Sequence, residues 1–137
     1  MKFLDYKVLN ASFSLTPDIQ PNRNYKIMPR INCTIKKGVD KIFCTFNVDI
    51  TRGEEIPPFE FNISAVGTFA VEDSEDATTV SIKAAETIFP FVRASIASLT
   101  QMANIPAYML PIIDIASVIK VNKPTVTPAP IESTTLN

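Results

Sequence analysis

Histidine and tryptophan are both missing from this chain of 137 residues, and glycine occurs only three times, at positions 38, 53 and 67. Without histidine the chain lacks both the commonest general base and the commonest metal ligand. Three scattered glycines cannot build a phosphate-cradling loop, which excludes nucleotide binding of the Gly-rich kind. Cysteine is limited to Cys33 and Cys44, too few to complete a thiolate metal site. Charge is nearly balanced, 13 Lys and Arg against 14 Asp and Glu. No basic excess is present to neutralise phosphates, so no nucleic acid is expected as a partner. No run approaches the roughly 18 apolar residues of a spanning helix, so no membrane insertion is expected. The amino terminus meets Asp5 before any apolar run develops, unlike a secretory signal. The expectation left by these absences is a cytoplasmic domain that is not an enzyme and takes no cofactor.

What is present is a succession of strands. Leu4, Tyr6 and Val8 hold one parity, then Leu9, Ala11, Phe13 and Leu15 hold the other. A bulge near Val8 and Leu9 would keep both sets on the core face. Thr16 to Asn24 carries Pro17 and Pro21 and is long for a hairpin, so it reads as a crossover loop. Tyr25, Ile27, Ile31, Cys33 and Ile35 then share a face, with Pro29 implying an edge or a bulge. Gly38-Val39 reads as a two-residue type II′ turn into Ile42, Cys44, Phe46, Val48 and Ile50. That register sets Cys33 directly opposite Cys44, as two buried thiols packing like small hydrophobes. Gly53 to Pro58 breaks the pattern before Phe59, Phe61, Ile63, Ala65 and Phe69 resume it. The predicted sheet is an antiparallel meander with one wet face.

From Glu72 the composition changes. The acids of Glu72 to Asp76 suit a helix start, and they lack the spacing of a calcium loop, as does Glu54-Glu55. A helix is predicted from about Ala77 to Ala103, kinked or restarted at Pro90. Its apolar residues spread over roughly half the circumference, whereas a surface helix needs a stripe only a little over 100° wide. Something beyond the chain's own sheet must cover the rest. The fold class is therefore α+β: a four-stranded antiparallel sheet (strand, crossover loop, three-strand meander) followed by a long Pro-kinked helix. Residues 1–121 form the domain, and the Pro- and Thr-rich residues 122–137 read as a disordered tail.

Phe89-Pro90-Phe91-Val92-Arg93, Ser98-Leu99, Ile105-Pro106 and Leu110-Pro111-Ile112-Ile113-Asp114 resemble the helix and Pro-bounded exit of the SecB export chaperones. Phe59 to Phe69, with its Gly67-Thr68-Phe69 step, resembles that family's last strand, and the order of elements agrees over roughly residues 3–114. The resemblance implies an ATP-independent holding chaperone, a homotetramer built as a dimer of dimers. It would bind unfolded or preprotein clients in apolar grooves and deliver them to the translocation motor SecA. Promiscuous holding of this kind needs exposed apolar surface with few fixed polar demands. Carried onto this chain, the family geometry points to Ile19, Tyr25, Ile27, Phe89, Val92, Ile96, Leu99 and Met102 as client-binding, and to Phe91, Arg93, Ser95 and Ser98 as oligomer interface. Where the family carries its acidic motor-docking surface, this chain has Asn10, Ser14, Glu60 and Asn62. A second amphipathic helix is not evident after Asp114, and Gly67 stands alone where the family has a glycine pair. Alternatives left open are a SecB-like chaperone of a toxin–antitoxin system and a non-chaperone oligomeric adaptor or structural subunit.

Overall fold

A computed structural model describes residues 1–17, 25, 27–53 and 56–121. The elements follow as β1 (Lys2–Leu15), β2 (Arg30–Lys37), β3 (Lys41–Ile50), β4 (Phe59–Ala70), α1 (Ala77–Met102), α2 (Ile115–Val118) and β5 (Ile119–Val121). Their sheet order is β1-β4-β3-β2-β5. The first four strands are antiparallel, as expected, and β5 adds a short parallel edge that the sequence pattern did not suggest. No helix among the described residues is long and apolar enough to cross a membrane. Ile19, Glu54-Glu55 and the tail from residue 122 lie outside the described residues.

β1 keeps its apolar residues on one face by bulging twice. The extra residues are Leu9, near the expected place, and Leu4, which parity alone had put with the core set. As a result Phe3, Tyr6, Val8, Ala11, Phe13 and Leu15 lie opposite Phe69, Gly67, Ala65, Ile63, Phe61 and Phe59. β2 begins only after Pro29, whose missing N–H cannot join a ladder. Between β2 and β3 the pairing ends at Lys37 and Ile42, two residues further apart than a two-residue turn allows. Gly38 has no positive φ, so the type II′ turn is not formed. The face assignments survive, because a shift of two preserves parity. The cysteines, however, become diagonal neighbours: Cys33 faces Phe46 and Cys44 faces Ile35, with the two free thiols 3.5 Å apart and buried. Their mutual hydrogen bond, then burial, raises the Cys33 thiol pKa well above its ordinary value.

α1 forms within a residue of its predicted span. Asp76 caps it by accepting hydrogen bonds from the Thr79 N–H and hydroxyl. The helix stays continuous through Pro90. Pro90 is exposed and so is Glu86, whose carbonyl loses its usual partner and can turn to water instead. Ser81, Ala84, Ala85, Ile88, Val92, Ile96 and Thr100 recur at helical spacing and are buried. They meet the inner residues of β3 and β4, among them Phe46, Val48, Ile63 and Phe69. The helix packs tightly over Gly67, where a Cβ would lie 2.1 Å from Ile88 Cδ1 and 2.4 Å from its Cγ1. On the outer side, the nearly buried Asp49 pairs with Arg30 Nε at 2.8 Å.

Candidate functional site: an apolar hollow beside the edge strand

β1 is the outer strand of the sheet, and the second half of α1 runs across its inner face. Between them lies an open hollow of about 390 Å³. Tyr6, Val8 and Ala11 of β1, with Ile63 of β4, form one wall. Phe91, Ala94, Ser95, Ser98, Leu99 and Met102 of α1 form the other. These helical residues lie off the buried stripe, so the excess apolar arc of the helix is the part that lines the hollow. Met102 is 83% exposed and Phe91 43%.

Aromatic stacking fixes one end of this hollow. The Phe91 ring stacks on Phe3 at 5.6 Å and on Tyr6 at 5.3 Å, and Phe3 in turn tilts against Phe69. The Tyr6 hydroxyl hydrogen-bonds with Ser95 Oγ at 2.9 Å. Burial raises the Tyr6 pKa, and the Ser95 bond opposes the rise. Tyr6 and Ser95 thus engage each other, which leaves Ser98 as the other hydroxyl on a mostly apolar surface that asks little of a ligand beyond being apolar.

A second cluster fastens the segment that leaves the helix. Thr100 is fully buried; its hydroxyl donates to the Ala97 carbonyl at 2.9 Å and accepts from the Tyr108 N–H at 2.9 Å. Arg93 Nε donates to the Leu110 carbonyl at 2.8 Å, and Leu110 is completely buried. Tyr108 then sets its ring edge-on to Phe59 at 5.7 Å. Asn104, with φ of 63°, makes the turn out of the helix.

Of the twelve residues singled out from the sequence, the structure describes all but Ile19 and divides the other eleven. Phe91, Ser95, Ser98, Leu99 and Met102 come together at the hollow. Phe89, Val92 and Ile96 sit on the other side of the helix, buried in the subunit's own core. Arg93 directs its Nε to the exit segment. Tyr25 and Ile27 are half-buried on the approach to β2, away from the hollow, and Ile27 packs against the core. Sequence reasoning missed the β1 wall. Tyr6 and Val8 were visible as an alternating pair, but nothing in the pattern showed that β1 would be only half covered. Asn10, Ser14, Glu60 and Asn62 do share the outer face, as their pairing with Ser64, Glu60, Ser14 and Ser12 shows. Glu60, the one acid among them, accepts from the Arg52 N–H.

Residues 1–123 match the family described as preprotein translocase subunit SecB. A protein-export protein SecB from Anaplasma phagocytophilum is 34% identical over 70 residues, which make up 47% of this chain but only 44% of that protein. An uncharacterized protein of Methanocaldococcus jannaschii is 30% identical over 125 residues, covering 85% of this chain and 80% of the relative. Among solved structures, a SecB-like chaperone of Mycobacterium tuberculosis in complex with a ChAD peptide from the HigA1 antitoxin shares the fold. Its TM-score is 0.64 at 14% identity, over 82% of this chain and 90% of that one.

Proposed function

The chain belongs to the SecB family, a family of chaperones rather than enzymes, and from that premise we propose that it holds unfolded polypeptides without ATP. The observation that carries this reading is the hollow, an apolar surface that the subunit leaves uncovered and that makes few polar demands. Leu99 and Met102, at its open side, are the residues we assign to clients. The same surface supports self-association. β1 is a 14-residue edge strand with Leu4 and Leu9 exposed, a form of edge that pairs readily with another copy. Phe91, Ser95 and Ser98 beside it suit a subunit contact, in keeping with a homotetramer that leaves part of each hollow for clients.

Delivery is the less supported step. An outer face with Glu60 as its one acid among the four matching positions offers little for a basic docking partner such as the SecA motor. The antitoxin peptide bound by the mycobacterial structure favours a second reading, in which this chain guards one partner of a toxin–antitoxin pair. Suppression of aggregation of a denatured client tests the holding role itself. The wild-type chain at several-fold molar excess is expected to suppress light scattering. Met102→Asp should weaken that protection while leaving the melting temperature nearly unchanged, since Met102 is 83% exposed, whereas Leu99 packs partly against the core. No protection by the wild type would sink the proposal.

A further inference from the structure

The outer edge of β2 is occupied, but poorly. β5 lies parallel to it, with Ile119 beside Cys33, Lys120 beside Thr34 and Val121 beside Ile35. β2 runs eight residues, Arg30–Lys37, so this ladder reaches three of its eight positions. Parallel pairing is less stable per residue than antiparallel, and three residues is short for a strand. What feeds β5 is equally slight: α2 is a single turn of four residues, and Asp114 at its start makes no side-chain capping bond. Burial holds the segment mainly through Ile115, which is 7% exposed, and the half-buried Ile119. The result is an edge whose cover can come away at small cost, next to strands that stay packed.

We propose that the β2 edge is a binding site for extended polypeptide, and that β5 is its resident occupant, to be displaced by a client strand. A client adding to β2 through main-chain hydrogen bonds can span the whole edge, and an antiparallel one gains the better pairing as well. The neighbouring side chains set its chemistry. Ile31, Cys33 and Ile35 lie on the core face, so every second client residue beside them would be apolar. Asn32, Thr34 and Lys36 lie on the other face, so the intervening residues would be neutral or acidic. This inference rests on the holding function and adds to the hollow a second, main-chain mode of capture.

The test follows the anisotropy of a short fluorescein-labelled peptide of alternating isoleucine and serine, added to the full chain. Lys120→Pro takes a donor out of the β5 ladder. It is expected to bind the peptide about fivefold more tightly, because apparent affinity scales with the fraction of chains whose edge is open. The paired substitution T34C/K120C joins β5 to β2 when oxidised and should weaken binding by a similar factor, with recovery on reduction. Hydrogen exchange at the Ile31, Cys33 and Ile35 amides, which point away from β3, should slow when peptide is bound. Equal binding by open, locked and wild-type forms, while the wild type still protects a denatured client, would overturn this inference alone. Absence of peptide binding and of client protection in every form would overturn the holding function with it.

Discussion

Ile88 leans over Gly67 with no space to spare, and this contact sets how near α1 can approach the sheet. Gly67→Ala therefore has to push the helix outward or force Ile88 into a poor rotamer, at a cost of about 1–3 kcal/mol. Urea denaturation would read that loss. Adding Ile88→Val, which removes Cδ1, should recover part of it, whereas a cost unrelated to the helix would not respond. The sequence marks Gly67 by the scarcity of glycine and by the Gly67-Thr68-Phe69 step; its packing role needs the third dimension. Thr100 was equally silent: a threonine late in a helix says nothing about the amide it will receive from Tyr108. By contrast Phe59, Phe61, Ile63 and Phe69 announced their burial, because a half-buried strand can hardly be written any other way.

Among the elements, β1 has the most to say about register. Leu9 is the extra residue of its second bulge, so deleting it leaves Val8 against Ala65 and Asn10 against Ser64. That deletion should cost about 1 kcal/mol or less, since no side chain changes face. Deleting Ser12 instead reverses the strand on one side of the gap, turning either Phe13 or Ala11 and Tyr6 outward, and the chain is expected to lose its cooperative melting transition. For α1, Pro90→Ala should stabilise the helix by about 1–3 kcal/mol by restoring a main-chain bond in an exposed turn, seen as a higher melting temperature. Its N-terminus carries a pH signature. Hydrogen bonds from the Thr79 backbone and side chain hold the Asp76 pKa below its ordinary 3.8. A lowered folded pKa stabilises the native state above the unfolded value, and that contribution fades as pH falls through the folded one. The melting-temperature gap between wild type and Asp76→Ala should therefore narrow with acidification below about pH 4. The limits of α1 were legible from its cap and its period. β5 was not, because three residues carry no period, and the Cys33–Cys44 register turned on a connection whose length no residue announces.

For the whole molecule, two layers leave the β1 side of the inner face thinly roofed. A monomer with Phe3, Leu4, Val8, Leu9 and Phe91 all at least 39% exposed has reason to associate. The melting temperature is expected to rise with protein concentration over the micromolar range, as mass action requires when only the folded chain assembles. A concentration-independent transition together with a monomeric mass by light scattering would remove the case for self-association through β1. The α+β class was readable because the strand and helix periods occupy separate halves of the chain. The hollow was readable only as surplus, an apolar arc wider than one sheet can cover, and its position depended on which edge β1 would take.

The order in which the strands are made has its own consequence. β2 emerges early in synthesis, yet the strand that closes its outer edge is built from residues 119–121, after the rest of the sheet and all of α1. A nascent chain therefore has four strands and a long helix available to fold while one rim is still bare. Residues 119–121 would act as a latch, and until they leave the ribosome the newborn protein is itself open to misplaced strands of the kind it is proposed to hold.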